Sequence, residues 1–288
     1  MDQTTSPIRR VERIVNGHET SDGAGVRLRR ILGGPELDML DPFLLLDAFR
    51  SDDPDDYIAG FPPHPHRGFE TVTYLLAGTM QHRDSAGHAG VLRAGGVQWM
   101  TAGSGIEHSE MPQQEHGLLS GFQLWVNLPA AEKMQAPRYQ EFEPEQIPLE
   151  RMDNGAEVRV VAGTTGNGTR GPVAQIAARP LYFDVSLPAG ADYNEAVPSG
   201  HNAFVYVISG AVEISDTRVC AGSLAVLGQG ERLTLRATPS DARFLLVAGR
   251  PFNEPVARSG PFVMNTRNEI EQAYADYRSG RFGRVGES

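Results

Sequence analysis

Short apolar runs, each bounded by glycine or proline, make up most of this 288-residue chain. The chain contains 32 glycines and 20 prolines, and the runs between them are rich in β-branched and aromatic residues. This pattern is typical of an all-β protein built from many short strands and turns. Strands are predicted at residues 44–49, 69–77, 79–84, 90–93, 97–100, 107–111 and 120–127.

One segment near the end of the chain has helical periodicity instead. Thr266 and Glu269 have the spacing of a capping box, in which each side chain bonds to the backbone of the other residue. A stripe of apolar residues follows at intervals of three and four, namely Ile270, Ala273, Tyr274 and Tyr277. The pattern predicts a helix at residues 266–279, with its aromatic stripe packed on a barrel.

A weak internal repeat relates the two halves of the chain. Residues 72–78 align with residues 204–210 at an offset of 132, and residues 103–105 align with residues 228–230 at an offset of 125. Repeats of this kind indicate two copies of one structural unit.

The stretch from Pro129 to Pro148 is rich in proline and glutamate and separates the two copies. We therefore predict a first domain at residues 1–140 and a second domain at residues 141–288, with the helix in the second domain.

Composition narrows the range of functions. The net charge of −10 and the pI of about 5.3 argue against direct binding of nucleic acid, because phosphate contacts require a basic surface. No apolar run approaches the length of a membrane span, and the first seven residues lack the apolar region of a secretory signal. The single cysteine, Cys220, rules out an internal disulfide and is expected to be a small buried residue. We predict a cytoplasmic protein that binds neither membranes nor nucleic acid.

Two histidines at the entrance of a predicted strand are candidate metal ligands. His64 and His66 are two residues apart, so that on a strand they face the same side at a separation of about 6.6 Å. Pro65 between them places the pair at a strand start or a sheet edge. Two imidazoles at this separation are able to converge on one metal ion at roughly 2.0–2.1 Å. Glu70 is an even number of residues from both histidines and is expected to face the same way.

A second pair of candidate ligands lies downstream, where His108 and Glu110 are again two residues apart after a turn-rich run. One His-x-His pair is expected by chance in about one chain in five of this composition, so the second pair carries much of the argument. Two such pairs on two strands of one barrel form a site of three histidines and one glutamate. The aligned residues of the second half are Ala196, Pro198, Leu233 and Leu235, so the second copy is predicted to be metal-free.

His82 and His88 lie on a predicted hairpin between the two pairs. They either line the mouth of the cavity or are exposed turn residues, and the exposed placement is the expected one.

Three separated motifs of the chain resemble those of the pirin family. They span residues 60–72, 98–112 and 260–266, and the resemblance extends from about residue 10 to residue 280. Pirins are bicupins, so the resemblance implies two tandem cupin barrels, each a double-stranded β-helix of the jelly-roll type, with a short C-terminal helix. It also implies one iron ion in the N-terminal barrel, held by residues that correspond here to His64, His66, His108 and Glu110.

The two acidic residues near the histidines have different expected roles. In the wider cupin superfamily the acid that follows His-x-His is commonly a ligand, which makes Glu70 an alternative ligand. The pirin pattern assigns this role to Glu110 instead. We expect Glu70 to accept a hydrogen bond from a ligating imidazole.

The resemblance implies two alternative functions. Some pirins oxidise the flavonol quercetin at its 2,3-bond with release of carbon monoxide, so a dioxygenase is the leading hypothesis. Fe(II) is then the expected metal, O₂ the second substrate and Glu110 the general base. Other divalent metals are able to bind such a site, since copper and nickel bind more tightly in the Irving–Williams order. The alternative is an iron- or redox-dependent regulatory protein that binds a transcription factor or a metabolic enzyme.

Overall fold

Antiparallel β-strands account for most of the fold, as the apolar runs predict. The computed structural model describes residues 7–114 and 116–283, so the opening segment that was inspected for a targeting signal lies mostly outside the described residues. The strands, in chain order, are β1 (Val11–Val15), β2 (His18–Asp22), β3 (Val26–Leu32), β4 (Phe43–Ser51), β5 (Phe61–His66), β6 (Phe69–Ala77), β7 (Thr79–Asp84), β8 (Ala89–Arg93), β9 (Val97–Thr101), β10 (Ile106–Pro112), β11 (Leu119–Asn127), β12 (Arg138–Phe142), β13 (Leu149–Arg151), β14 (Glu157–Ala162), β15 (Leu181–Leu187), β16 (Asp192–Ala196), β17 (Asn202–Ser209), β18 (Ala211–Ile214), β19 (Thr217–Cys220), β20 (Leu224–Leu227), β21 (Arg232–Ala237), β22 (Ala242–Gly249), β23 (Ala257–Ser259) and β24 (Phe262–Met264). All seven strands predicted from the sequence are present, as β4 and β6 to β11.

One compact unit consists of His18–Gly34, Phe43–Pro144 and Phe252–Ser288. It contains a seven-stranded sheet in the order β12-β9-β6-β11-β4-β3-β2 and a four-stranded sheet in the order β5-β10-β7-β8. Buried side chains of both sheets, among them Leu75 of β6 and Met80 of β7, belong to one apolar cluster. The two sheets therefore pack face to face as a barrel, which we call the first barrel.

The other compact unit consists of Met1–Gly17, Pro35–Pro42 and Glu145–Pro251. Its sheets have the same sizes, with the orders β1-β20-β17-β22-β15-β14-β13 and β16-β21-β18-β19. A continuous apolar cluster of 24 buried residues fills this second barrel. The all-β class with two barrels is thus confirmed.

The interior of the second barrel differs from the first at the positions that the repeat aligns with metal ligands. Leu233 and Leu235 are 0% and 2% exposed and belong to the apolar cluster. Ala196, which the sequence offset aligns with His64, is exposed, and Glu195 is the residue paired with Leu233 on the neighbouring strand. At β16 the offset of 132 is therefore wrong by one residue, because Glu195 and not Ala196 occupies the position that corresponds to His64.

The predicted domain limits, 1–140 and 141–288, do not coincide with the limits of the compact units. Strand β1 pairs with β20 of the second barrel, whereas Val263 of β24 packs with Leu44 and Phe69 of the first barrel. The stretch predicted to be a plain connection also contains β12, which pairs with β9. These pairings join residues far apart in the chain, and local patterns do not show them.

The predicted helix is present as α1 (Arg267–Arg278), with both bonds of the capping box between Thr266 and Glu269. Ile270 and Ala273 are buried, and the ring of Tyr274 packs edge-on against Phe262 with 4.8 Å between the ring centroids. In the described part of the chain, no helix has both the length and the apolar character needed to cross a membrane.

Cys220 is exposed, contrary to the expectation that it is buried. It ends β19, where Val219 faces the core and the alternation of the strand turns the next side chain outward.

Candidate metal centre

His64 and His66 lie on β5, the edge strand of the four-stranded sheet. An edge strand tolerates Pro65 because half of its backbone donors have no partner strand, as the sequence predicts. Nδ1 of His64 lies 2.8 Å from the carbonyl oxygen of Pro62. A carbonyl only accepts, so this contact requires the proton on Nδ1 and leaves the lone pair of His64 on Nε2.

The neighbouring strand β10 brings a third imidazole to the same place. His108 is directly opposite His64 in the register of β10 and β5. The ring centroids are 4.7 Å apart for His64 and His66, 4.5 Å for His64 and His108, and 5.1 Å for His66 and His108. One nitrogen of each ring lies within 4.8 Å of the others, and this is the only such group of metal-binding side chains among the described residues.

The protonation state of His66 and His108 suits a metal ion. His66 and His108 are 3% and 2% exposed, and burial lowers the pKa of both imidazoles well below the usual value. Electrostatic repulsion from the neighbouring imidazoles lowers the pKa of both residues further. Neutral imidazole is the form that binds metals.

Several buried ring nitrogens of this group have no partner in the described protein. They are Nδ1 of His66 and both nitrogens of His108. A buried nitrogen without a hydrogen bond costs free energy, and a metal ion removes that cost for the one nitrogen of each ring that binds it. The three histidines therefore fit a metal ion.

Glu110 lies beside this group and is not one of the side chains whose ligand atoms lie within 4.8 Å of one another. A register shift between His108 and Glu110 pairs Glu110 with Phe61 of β5. Its carboxylate is buried and accepts hydrogen bonds from Thr73 Oγ1 at 2.7 Å and Gln123 Nε2 at 3.2 Å. Its role as fourth ligand stays a prediction.

Glu70 does not bond to an imidazole. Its Oε1 accepts a hydrogen bond of 2.7 Å from Thr101, and its Oε2 has no partner among the described residues. The same-face spacing of His64 and His66 does not extend to Glu70. Strand β5 ends at His66, and the turn at Gly68, with φ of 86°, separates β5 from β6, the strand that carries Glu70. Burial raises the pKa of Glu70 to about 7.

The two hairpin histidines have different surroundings. His88 is exposed, as expected, but His82 is only 6% exposed and the expectation for it was wrong. His82 is paired with Glu110 in the register of β7 and β10, and its Nε2 lies 2.6 Å from Oε2 of Glu141. The regular alternation of β7 turns His82 into the barrel.

A cavity of about 710 Å³ lies against His64 and His66. Its size is within the range of pockets that hold small organic molecules. Aromatic side chains supply much of its apolar wall, and Glu110 and Gln123 face it with polar groups. The lining residues include Leu28, Leu45, Phe49, Phe61, His64, His66, Glu110, Gln123, Trp125 and Pro261. The sequence patterns did not identify Gln123 of β11 or Thr73 of β6.

Two family models match the chain, one described as Pirin at residues 25–126 and one described as Pirin C-terminal cupin domain at residues 182–283. The chain belongs to the pirin family. A pirin-like protein from Caulobacter vibrioides is 54% identical over 276 residues, which cover 96% of this chain and all of the relative.

Two further pirin relatives carry the name of an activity. A protein from Pseudomonas aeruginosa, named as a proposed quercetin 2,3-dioxygenase, is 49% identical over 270 residues, or 92% of this chain and 94% of the relative. The crystal structure of a quercetin 2,3-dioxygenase from Acinetobacter baumannii is similar with a TM-score of 0.88 and 36% identity, over 97% of this chain and all of that chain. These similarities confirm the predicted pair of cupin barrels.

The raised pKa of Glu70 predicts how stability changes with pH. Between the model-compound pKa of 4.5 and the folded value of about 7, the folded protein holds a proton that the unfolded chain has lost. The contribution of Glu70 to the free energy of unfolding therefore falls as the pH rises through this window, by up to about 3 kcal/mol. Urea unfolding of the metal-free wild type and of Glu70→Gln at a series of pH values measures this contribution, and the free energy of the wild type relative to that of Glu70→Gln should fall as the pH rises. Glu19→Gln, at an exposed position of β2, is the control and should leave the profile unchanged.

Proposed function

We propose that this pirin is an iron-dependent dioxygenase that opens a flavonol such as quercetin at its 2,3-bond with release of carbon monoxide. The observation that carries the proposal is the convergence of three imidazoles, two of them buried, beside a cavity of about 710 Å³. The names of the two relatives described above support the same substrate class.

His64, His66 and His108 would hold the iron, with Glu110 as the fourth ligand. A metal ion held by three imidazoles and one carboxylate would keep room for water or substrate, as a reactive rather than a structural site requires. When bound, Fe(II) supplies Lewis-acid activation of the flavonol 3-hydroxyl and the redox chemistry with O₂.

Glu110 is the general base of the proposal. Its carboxylate is buried at the cavity wall, and the hydrogen bonds from Thr73 and Gln123 fix its orientation. It accepts the proton of the 3-hydroxyl as the flavonol binds. Trp125 and Phe61 line the same cavity and pack against the flat rings of the flavonol, which keeps water away from the reacting carbons.

Replacing Glu110 separates metal binding from proton transfer. Glu110→Gln keeps the shape of the side chain but removes the base, so we expect quercetin turnover to fall by about 10²-fold or more. Iron content by elemental analysis and turnover by O₂ uptake are measured on the same samples. Full turnover with iron retained would exclude the role as base. Glu107→Gln, on the same strand, is the matched control and should keep both properties.

Removing one imidazole tests the ligand set directly. His66→Ala removes one of three converging nitrogens, so iron stoichiometry should fall well below one per chain after equilibrium dialysis. His18→Ala, at an exposed position of β2, is the control for the loss of a histidine. Unchanged stoichiometry in His66→Ala would show that His66 is not a ligand.

One contact favours the second candidate function, redox-dependent regulation of a transcription factor or metabolic enzyme. Arg67 follows His66 directly, is 3% exposed, and donates hydrogen bonds to the carbonyl of Ser104 at 2.6 Å and to Asp276 of α1 at 2.8 Å. A change between Fe(II) and Fe(III) alters the charge beside His66 by one unit, and Arg67 links that position to the helix.

The regulatory function predicts that α1 responds to the oxidation state of the iron. Hydrogen exchange of the α1 amides should differ between the Fe(II) and Fe(III) forms, and Asp276→Asn should reduce the difference. Asp192→Asn, which removes an exposed ion pair with Arg236, is the control. Identical exchange in both oxidation states would remove the support for this function.

A further inference from the structure

A row of polar side chains lies on the cavity wall next to the histidines. In the register of three neighbouring strands, Thr73 of β6 is opposite Gln123 of β11, and Gln123 is opposite Asp47 of β4. Residues paired in this way share one face of the sheet. Asp47 is in turn opposite Arg30 of β3, and Arg30, Asp47 and Gln123 all line the cavity.

Hydrogen bonds hold this row in a fixed geometry. Arg30 donates to both oxygens of Asp47, from Nε at 2.9 Å and from Nη2 at 2.7 Å. At the other end, Gln123 contacts Thr73 at 2.6 Å and donates to Glu110 at 3.2 Å. Asp47 is 3% exposed, so its carboxylate is almost completely withdrawn from bulk water.

The second barrel shows that the fold does not require these polar groups. The offset of 132 residues places Val205 of β17 at the position of Thr73. Val205 is opposite Leu246 of β22, and Leu246 is opposite Phe183 of β15. All three are 0% exposed. Burying a carboxylate and its arginine costs free energy that apolar side chains avoid. The fold therefore does not require Asp47 and Arg30 at these positions, and both residues line the cavity.

The position of Asp47 suits contact with the far end of a bound molecule. Neighbouring strands lie about 4.8 Å apart, so Asp47 is about one strand spacing beyond Gln123, which itself contacts Glu110. Phe49 and Trp125 lie two residues along their strands from Asp47 and Gln123, and both line the cavity. The acceptor is thus bordered by flat apolar surfaces, which suits an aromatic ring that carries a hydroxyl group.

We propose that Asp47 is a specificity-determining residue that accepts a hydrogen bond from a phenolic hydroxyl of the substrate, remote from the hydroxyl that faces the metal. Arg30 is a positioning residue, because it acts by orienting the carboxylate of Asp47. This inference rests on the proposed flavonol substrate and narrows it to flavonols with several hydroxyl groups.

The test measures binding without turnover. Protein loaded with zinc is titrated anaerobically with quercetin and with 3-hydroxyflavone, which keeps the 3-hydroxyl and lacks the others, and tryptophan fluorescence gives both affinities. The wild type should bind quercetin at least about tenfold more tightly, since a hydrogen bond to a charged group contributes on this scale. Asp47→Asn should lower the affinity for quercetin about tenfold and leave that for 3-hydroxyflavone within about twofold.

Two further variants separate recognition from folding. Arg30→Lys should reduce the preference for quercetin in the same direction, with the affinity for 3-hydroxyflavone unchanged, which a merely structural role of Arg30 would not produce. Asp184→Asn is the matched control, because Asp184 is 2% exposed and bound through both oxygens by Arg243 at 2.9 and 2.6 Å in the second barrel. It should keep the full preference.

The outcomes distinguish this inference from the proposed function. An unchanged preference in Asp47→Asn, or no preference in the wild type, overturns the inference even if the iron-loaded enzyme consumes O₂ with quercetin. A preference that Asp47→Asn abolishes, without any O₂ uptake by the iron-loaded wild type, supports the inference and overturns the dioxygenase. Failure of both flavonols to bind the wild type overturns both.

Discussion

A buried polar atom needs a hydrogen-bond partner or a metal ion, and the interiors of the two barrels differ in this requirement. Leu233 and Leu235 fill the second barrel at positions where the first barrel has His108 and Glu110. Apolar packing fills these two positions of the second barrel, whereas the first barrel contains imidazole nitrogens that have no hydrogen-bond partner among the described residues. A metal ion that binds only the folded site then adds its binding free energy to the stability of the first barrel. In this unit, stability and the proposed function depend on the same few atoms.

The turn after His66 is held by residues from distant parts of the chain. Gly68 has a φ of 86°, and a Cβ at this position would clash with the carbonyl of Val263. The buried ammonium of Lys133 donates to the carbonyl of Gly68 at 2.7 Å, to Asn127 at 2.7 Å and to the carbonyl of Val263 at 3.0 Å. Burial lowers the pKa of Lys133 to about 8, but three acceptors match its three hydrogens and favour the charged form. The segment that carries α1 thereby helps to fix His66, the proposed metal ligand about 200 residues earlier in the chain.

The sequence predicts the parts of the site that depend on strand alternation alone. His64 and His66 face the same side because same-face spacing within a strand is independent of tertiary structure, whereas His108 meets them through the pairing of β10 with β5. The alternation does not apply to Glu70, because a glycine turn interrupts the strand. The position of Glu110 depends on a register shift that no local pattern encodes. The membership of β1 and α1 in their compact units depends on pairing between distant residues, for which the local sequence contains no signal.

The hydrogen-bond cycle around Glu110 contains more contacts than hydrogens, which bears on the proposed role of Glu110 as a base. The carboxylate, the Thr73 hydroxyl and the Gln123 amide form a cycle of three contacts, at 2.7, 2.6 and 3.2 Å. Thr73 supplies one hydrogen, and the amide supplies one on the side of its nitrogen, so two hydrogens serve three contacts. If the amide of Gln123 is flipped so that its oxygen and nitrogen exchange places, a different contact lacks a hydrogen, but one contact still lacks it. The cycle becomes complete when Glu110 takes up a proton and donates it to Thr73, which is the property that a general base at this position requires.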